Sequence, residues 1–561
     1  MKKKITKIIS LLLALLLLAG CGADEVSTVL VYERQPVQRE LLRFEDIEYI
    51  RPELDSMYAT GDDLLNALEN PFKLNEAAQL LDSFLLQCSN FDTMYMLAYI
   101  RSSMDVHDEF YDEEYGWCME SSAEKDMILE ELIAACAQSC HASQLEELFG
   151  EELSLRWDVE DAIEARGSYE EYFTLVERET ELLNRYRDIV AEAGMDIDLS
   201  DMDYDEVDAA YMAYYEEYNP VLAQLYTELI GLRREIAGFM GYDSYAQFEY
   251  DMYERGYSPD EAMEYMGHLK QYMAELEQEI QESGLREELI YDPVDERELE
   301  LYLETVAWGF GGRIEEAWRF MKQYNMYDLS ISADKAVTSF QTWLSDYNAP
   351  YLFLSPYGDT SDIGTLCHEF GHYVDDYIRQ DAYENMDLAE TYSQAMQLLS
   401  LDQLQCIMTE EEFESYSNMS ILDIFSSMVD QAILAEFEIR AHEMEAATVE
   451  KLNALYLDIL NDYGLGSPED DSYYSMLWVD VPHLFESPFY VISYVVSASA
   501  ALELYEMELE EEGRGIESFV TMSESGIATL MEAVEYAGLE DPLSENRVRQ
   551  AAEFIRSRLP I

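Results

Sequence analysis

Two histidines and a glutamate form the most informative cluster in this sequence. His368, Glu369 and His372 make a His-Glu-x-x-His motif, with the two histidines four residues apart. On a helix this spacing puts both imidazoles on one face, where they can bind a single Zn²⁺. With 7 histidines in 561 residues, the expected number of accidental matches is on the order of 0.01. The motif predicts a metal site with Glu369 as general base on a metal-bound water.

A catalytic zinc of this kind needs one more protein ligand. Such sites usually use three protein ligands and keep the fourth position for water. The next helical segment begins near Ala389 and offers Glu390, which we predict to be the third ligand. Other carboxylates compete on chemistry alone: Glu384, Asp387, Asp375 and Asp376. The predicted cofactor is one Zn²⁺ per chain, although these ligand types also suit Mn²⁺ or Co²⁺.

A second cluster of polar aromatic residues lies more than a hundred residues further along. His483 is followed by Tyr490 and Tyr494, which are four apart and would share a helix face. When an amide is hydrolysed at a metal, negative charge builds on the former carbonyl oxygen, and donors aimed at that oxygen stabilise it. Aromatic core packing is the competing interpretation, and it would be preferred without the metal motif. We predict that all three residues contribute to catalysis.

The metal motif needs a helix with a buried face, and its neighbours predict one. The apolar residues recur at helical spacing: Ile363, Leu366, Cys367, Phe370, Val374 and Ile378. A coincidental pair of histidines on a solvent-exposed face fits such a helix poorly. Asp359, Ser361 and Asp362 precede this face and can cap the helix. Asp362 can instead support a metal ligand through a hydrogen bond.

Helices dominate the rest of the chain. From about residue 47 onward, apolar residues recur at three- and four-residue spacing between acidic ones. One exception is the extended segment 349–355, which a turn at Tyr357 and Gly358 closes before the motif helix. The predicted fold class is mostly α, with a small β edge beside the metal helix. We divide the chain into a signal peptide with lipobox (1–20), a tether (21–45), an N-terminal helical lobe (46–205) and a catalytic domain (206–561).

The N-terminus predicts export. Four lysines precede an apolar run from Ile8 to Leu18, which is typical of a secretory signal peptide. The following Leu18-Ala19-Gly20-Cys21 resembles a bacterial lipobox, in which the cysteine is lipidated; an ordinary cleaved signal is the alternative. We predict lipidation at Cys21 and anchoring to the outer face of the bacterial cytoplasmic membrane.

Charge and cysteine content restrict the function further. The chain has 34 basic and 118 acidic side chains and a net charge of −84, which excludes nucleic-acid binding because phosphate contacts need the opposite sign. The negative field can attract cationic peptides or simply keep the surface solvated. Six cysteines beyond Cys21 are scattered too widely for a disulfide framework. Cys136, Cys140 and His141 could bind a metal, but their surroundings indicate a packed helix face.

At these residues the sequence resembles the thimet oligopeptidase and oligoendopeptidase F family of zinc metallopeptidases. The matching positions are His368, Glu369 and His372, then Glu390 and Ser393, and then His483, Tyr490 and Tyr494. The similarity also includes 233–248, 350–355 and 538–542, and it extends from about residue 210 to the C-terminus. In one departure, Glu390 follows His372 by 18 residues, which is shorter than the separation usual in the family. Another is the lipobox, since many relatives are cytosolic.

The resemblance implies a mostly helical body with two lobes flanking a deep channel, zinc at its floor and access for short peptides only. It also implies that the strand before the metal helix pairs with the substrate backbone. The substrate-binding residues would then be Ala349, Tyr351, Phe353 and Ser355.

We therefore expect a monomeric zinc endopeptidase that cleaves short oligopeptides outside the cytoplasmic membrane. One alternative is a lipoprotein that captures peptides, with an inert or structural metal; Glu369 beside the metal argues against it, because a structural zinc closes its fourth position, usually with cysteine. Another is a zinc peptidase that acts on whole proteins or cell-wall peptides.

Overall fold

The computed structural model describes residue 32 and residues 40–149, 169–193, 204–380, 385–465 and 473–561. Helices dominate this part of the chain, and its strands form one three-stranded sheet. The mostly α fold class predicted from the sequence is confirmed. None of the helices in these ranges is both long enough and apolar enough to cross a bilayer. The predicted signal peptide, Cys21 and most of the predicted tether lie outside the described residues.

The secondary structure is numbered in chain order. The helices before the sheet are α1 (Leu54–Leu68), α2 (Leu74–Met104), α3 (Glu109–Gln138), α4 (Ala142–Phe149), α5 (Tyr169–Ala193), α6 (Tyr204–Met240), α7 (Tyr245–Met252), α8 (Pro259–Ser283), α9 (Glu296–Phe310) and α10 (Gly312–Tyr324). The strands are β1 (Tyr327–Asp328), β2 (Phe340–Leu344) and β3 (Ala349–Phe353). The helices after the sheet are α11 (Ser361–Arg379), α12 (Met386–Leu404), α13 (Glu410–Glu443), α14 (Val449–Asp462), α15 (Pro482–Glu486), α16 (Ile492–Glu510), α17 (Arg514–Ser525), α18 (Leu530–Ala537) and α19 (Glu545–Arg558). Short 3-10 helices occur at Phe44–Asp46, Leu285–Glu288, Ser345–Tyr347 and Tyr474–Asp480.

The described residues form two compact units, of which the smaller contains 52–90 and 120–149. Its core includes the buried side chains of Leu64, Phe84 and Leu132. Cys136 is also buried, while the His141 Nε2 atom lies 3.0 Å from the Asn70 carbonyl oxygen. Among the described residues, three or more metal-ligand side chains converge only at residues 368, 372 and 390. The alternative metal site at 136–141 is therefore not formed.

The larger unit contains residues 40–51, 91–119 and the described chain from 169 onward. The second half of α2 belongs to it and packs on the sheet. The Tyr99 ring stacks on Phe340 with centroids 4.5 Å apart, and the Thr93 hydroxyl accepts the Asp346 N–H at 2.8 Å. The predicted domain boundary at 205 adjoins residues 194–203, which lie outside the described ranges, and it stays a prediction.

The sheet has the strand order β1-β3-β2. β3 pairs with β1 in parallel and with β2 in antiparallel register, and all five residues of β3 are buried. Ser355 lies after β3, and its backbone N–H donates to the Ser339 hydroxyl at 2.9 Å. The prediction of an edge that pairs with a substrate is wrong for Ala349, Tyr351 and Phe353, because they lie in the central strand. Their apolar run reflects burial at the centre of the sheet rather than exposure at its edge. β2 is an edge strand of this sheet.

Helices α11 and α12 approach each other very closely at Gly371. A Cβ atom at this position would lie 2.5 Å from the Tyr392 carbonyl oxygen and 2.6 Å from the Ser393 Cα atom. No side chain fits in such a space, so only glycine permits this crossing. Helical glycine costs about 1 kcal/mol relative to alanine, and the close packing offsets that cost.

Helix α12 is buried along nearly its whole length and packs mainly on α11 and α16. α16 meets it with small side chains, including Ser493, Ser497 and Ala501, which are all buried. Small residues let two helix backbones approach closely. The side chains of α12 are thus held in a layer between two neighbouring helices.

We predict that Gly371→Ala separates α11 from α12, because the added methyl group meets backbone atoms that cannot move aside. The melting temperature should fall, and zinc affinity should drop at least about tenfold, since the two helices carry different candidate ligands. Calorimetry and zinc titration measure both effects.

Gly267→Ala is the matched control. Gly267 lies within α8, and a Cβ atom added there meets nothing within 4 Å. It should keep zinc affinity and gain up to about 1 kcal/mol of stability from helix propensity. Wild-type zinc affinity in Gly371→Ala would contradict our account of the crossing.

Candidate metal centre

The structure brings the three predicted ligands together. His368 and His372 lie one turn apart on α11, and Glu390 lies on α12. The Glu390 Oε2 atom is 3.4 Å from His368 Nε2 and 3.7 Å from His372 Nε2. Tetrahedral zinc at 2.0 to 2.1 Å from its ligands holds them roughly 3.3 Å apart. The three donor atoms therefore fit such an ion with little movement.

The electrostatics of this cluster also suit a cation. Burial raises the pKa of Glu390, but the hydrogen bond to His368 and the charges of both histidines outweigh it and lower the pKa to about 2. Burial lowers the pKa of His372 to about 4. Burial also acts to lower the pKa of His368, but the hydrogen bond to Glu390 and the charge of Glu390 outweigh this effect, so the pKa of His368 is raised. A permanently ionised carboxylate beside two imidazoles is a typical donor set for zinc.

Hydrogen bonds fix the orientation of Glu390. The Ser393 hydroxyl donates to Oε2 at 3.0 Å, and the Tyr490 hydroxyl donates to Oε1 at 2.6 Å. Groups that orient a metal ligand in this way tune both its position and its basicity. Ser393 lies on the same helix as Glu390, whereas Tyr490 comes from the loop before α16.

Among the described residues, the metal-ligand cluster contains none of the carboxylates that competed with Glu390 in the sequence. The Asp376 carboxylate accepts the Gln341 amide N–H at 2.8 Å. Asp387 accepts hydrogen bonds from Tyr257 and Ser493. Asp375 is buried, and its pKa is raised to about 7 by burial. Glu384 lies outside the described residues.

Glu369 is positioned beside the two histidines and against the sheet. Its side chain is 8% exposed, and burial raises its pKa to about 7, with a further contribution from the charge of Glu390. The positive charge of His368 and a hydrogen bond from the Gln341 backbone N–H oppose this rise. Such a carboxyl group can both accept and release a proton near neutral pH. The bond from Gln341 also places the unpaired edge of β2 next to Glu369.

His483, Tyr490 and Tyr494 form one aromatic cluster. The His483 ring centroid lies 5.4 Å from Tyr490 and 6.1 Å from Tyr494, and the two tyrosine rings are 5.2 Å apart. Burial raises the pKa of both tyrosines, so their hydroxyl groups stay protonated and can donate. Burial lowers the pKa of His483. The cluster joins the metal cluster through the bond from Tyr490 to Glu390.

Asp362 serves the loop before α11. Its carboxylate accepts the backbone N–H groups of Tyr357, Gly358 and Asp359 at 2.8, 2.7 and 3.1 Å. Three such bonds account for a buried carboxylate without a metal. Asp362 thus closes the turn that leads from β3 into the motif helix.

Sequence reasoning missed a buried arginine that connects both halves of the site. The Arg255 guanidinium donates to the Phe489 carbonyl oxygen at 2.8 Å and to the Ser493 hydroxyl at 2.9 Å. Its Nε atom lies 3.5 Å from the Asp387 carboxylate, one turn before Glu390. Arg255 therefore links the start of α12 to the loop that carries Tyr490. That loop contains Phe489 in the left-handed region, with φ of 61°.

A second buried arginine holds the segment that carries His483. The Arg233 guanidinium donates to the carbonyl oxygens of Leu484 and Phe485, and to the Glu179 carboxylate at 2.7 Å. Its side chain is almost completely buried. Sequence alone does not distinguish a buried arginine from an exposed one.

Two family models match the sequence. One is described as the peptidase M3 N-terminal domain and matches residues 44–163. The other is described as peptidase family M3 and matches residues 321–544, which include all of the metal and aromatic clusters.

Two bacterial relatives match in sequence. Oligopeptidase PepF of Bacillus subtilis is 26% identical over 222 residues, which are 37% of this chain and 33% of the relative. The chromosomal oligoendopeptidase F of Lactococcus lactis subsp. cremoris is 31% identical over 164 residues, or 27% of each chain. The matched parts thus span about a third or less of these relatives.

Solved structures match over most of the chain. PZ peptidase A with an inhibitor has a TM-score of 0.75 at 20% identity, with 92% of this chain and 98% of the other covered. A putative oligoendopeptidase F from Bacillus anthracis has a TM-score of 0.73 at 22% identity, with the same coverage. At these identities the likeness shows a shared fold.

We predict that Glu390→Gln lowers zinc affinity by at least about a hundredfold, because a neutral amide replaces the only anionic donor of the cluster. Asp376→Asn is the matched control, since Asp376 lies one turn from His372 on the same helix and has a different partner. Equilibrium dialysis with metal analysis measures both variants. If both variants lost zinc equally, the negative charge around the site, rather than Glu390 as a specific ligand, would hold the ion.

Proposed function

We propose that this chain, which belongs to peptidase family M3, is a zinc-dependent endopeptidase that hydrolyses internal bonds of short oligopeptides. The observation that carries the proposal is the convergence of His368, His372 and Glu390, with Glu369 beside them. The names of the two bacterial relatives and the sequence resemblance support oligopeptides as the substrate class. The peptide-capturing alternative does not require Glu369 next to the three ligands.

The chemistry assigned to each residue follows from its position. When bound by His368, His372 and Glu390, zinc would act as a Lewis acid and lower the pKa of a water molecule. Glu369 accepts a proton from the attacking water and passes it to the leaving amine.

The aromatic cluster supplies donors for the reacting carbonyl group. The hydroxyl groups of Tyr490 and Tyr494 and the His483 ring can donate to the oxygen on which negative charge develops. Tyr490 donates to Glu390 in the structure, so its hydroxyl must turn from the ligand to the substrate during the reaction. The two buried arginines act as positioning residues, because they hold the backbone on either side of this cluster.

The exposed edge of β2 is the surface that we propose for the peptide backbone. β2 pairs with β3 on one side only, and its Gln341 N–H faces Glu369. A peptide added along this edge would pass the metal cluster in an extended conformation, as in other cases of strand addition. This edge replaces the β3 residues of our sequence-based prediction.

We also propose that the protein is exported and held at the outer face of the cytoplasmic membrane by lipid on Cys21. The support is the sequence itself: basic residues, a short apolar run and a lipobox-like end. We propose that the protein acts there as a monomer on free peptides outside the cell.

For catalysis, we predict that Glu369→Gln retains stoichiometric zinc but loses at least about a thousandfold in kcat/KM, because the amide cannot accept the proton. The assay is cleavage of a library of short peptides followed by mass spectrometry, with a chelator as second arm. Zinc-loaded wild-type protein that leaves every peptide intact would support the capture alternative. Cleavage of unfolded casein as fast as of short peptides would remove the restriction to oligopeptides.

For location, we predict that cells fed an alkyne-bearing fatty acid label the wild-type protein and not Cys21→Ala, because only the Cys21 thiol lies in the lipobox. The variant should also leave the membrane fraction. Cys406→Ala, which removes an exposed thiol far along the chain, should keep the label and the membrane location. Labelling of Cys21→Ala would exclude the proposed anchor.

A further inference from the structure

A cavity of about 230 Å³ lies beside the metal cluster. Helices α11, α12, α13 and α16 contribute its walls. Its lining residues are His368, Gln394, Gln397, Asp423, Ile424, Ser427, Gln431 and Tyr494. Carbon atoms of these side chains supply most of its surface, and polar groups such as the Asp423 carboxylate supply the rest. The cavity therefore suits a long aliphatic side chain that ends in a polar group. A volume of this size holds several water molecules or one long side chain.

Most of the lining polar groups already have partners. The Gln394 amide donates to the Tyr494 carbonyl oxygen at 3.1 Å and accepts from the Ser497 hydroxyl at 3.0 Å. Gln397 makes a hydrogen bond with His368. Asp423 differs, because no basic side chain of the described residues lies within ion-pair distance of its carboxylate.

The surroundings of Asp423 are concave. Its side chain is open to solvent, yet burial by the surrounding protein raises its pKa to about 6. A carboxylate on the wall of a cleft can be both accessible to solvent and surrounded by protein atoms. There an opposite charge is attracted more strongly than on a flat surface, because less water screens the pair.

The cavity also lies close to the reacting bond. His368 is a proposed metal ligand and Tyr494 a proposed donor to the carbonyl oxygen, and both line it. A peptide whose scissile bond lies between them would therefore place an adjacent side chain at the cavity.

We propose that this cavity is a specificity subsite for a lysine or arginine side chain next to the cleaved bond, with Asp423 as its ionic partner. The inference rests on the proposed peptidase function and adds the substrate class that the enzyme prefers. The overall negative charge of the chain offers a competing explanation for any preference for cationic peptides. A control for charge alone is therefore essential.

Asp430 provides that control. It lies two turns after Asp423 on α13, it is also exposed, and burial raises its pKa to about 6 as well. It does not line the cavity. Asp423→Asn and Asp430→Asn thus change the net charge equally, on the same helix, and differ in whether the cavity loses its carboxylate.

The test uses the zinc-loaded full chain and quenched peptides with one cleavage site, mapped by mass spectrometry. Lysine or norleucine occupies each position flanking that site in turn. At one of these positions the ratio of kcat/KM for lysine over norleucine should fall about tenfold in Asp423→Asn. The same ratio should keep its wild-type value in Asp430→Asn. Asp423→Lys should shift the preference toward glutamate at the same position.

A binding measurement separates this inference from the proposed function. The Glu369→Gln protein is titrated with the same peptides by fluorescence anisotropy, with and without Asp423→Asn. Tighter binding of the lysine peptide that disappears in the double variant supports the subsite, even if no peptide is ever cleaved. Equal affinities for lysine and norleucine, or equal effects of Asp423→Asn and Asp430→Asn, would overturn it. Cleavage with no lysine preference would overturn the subsite alone.

Discussion

The close contact between α11 and α12 at Gly371 is the constraint on which the site depends. The two histidines belong to one helix and Glu390 to the next, so their donor atoms converge only if the helix backbones nearly touch. Helices with larger side chains at their contact are usually 8 to 10 Å apart, and such a spacing would move Glu390 away from the two histidines. The glycine is part of the metal motif in sequence but has no chemistry of its own. Its contribution is the absence of a side chain, which lets the backbones of α11 and α12 approach each other.

The second requirement is that buried charges have partners. Unpaired charges inside a protein are costly, whereas a guanidinium can bond several oxygen atoms at once. Arg255 and Arg233 use this capacity to hold backbone carbonyl groups near Tyr490 and His483. They connect segments that are more than two hundred residues apart in the chain. Arg255 also contacts Asp387, so it connects the helix that carries Glu390 to the loop that carries Tyr490.

Much of this could be predicted from the sequence because the relevant signals are local. Two histidines on one helical turn, the apolar face of α11 and the resemblance to the M3 peptidases, which the family models confirm, all depend on short motifs. On chemistry alone, Asp376 and Asp387 could have been the third ligand in place of Glu390. Their hydrogen-bond partners exclude them, and those partners come from distant segments of the chain. The role of β3 was predicted wrongly because an apolar strand has the same sequence pattern at the centre of a sheet as beside a buried substrate. No sequence motif marks Arg255 or Asp423, because the role of each depends on the residues that surround it in the fold.

The left-handed backbone of Phe489 has a consequence for the order of folding. A residue with a side chain disfavours this conformation by roughly 1 kcal/mol or more, so local sequence does not hold it in place. Its carbonyl group is held by Arg255, which is 234 residues earlier in the chain. Tyr490 can therefore reach Glu390 only after this long-range contact has formed. A chain that is still folding would therefore already contain the metal motif but would lack the hydrogen bond from Tyr490 that orients Glu390.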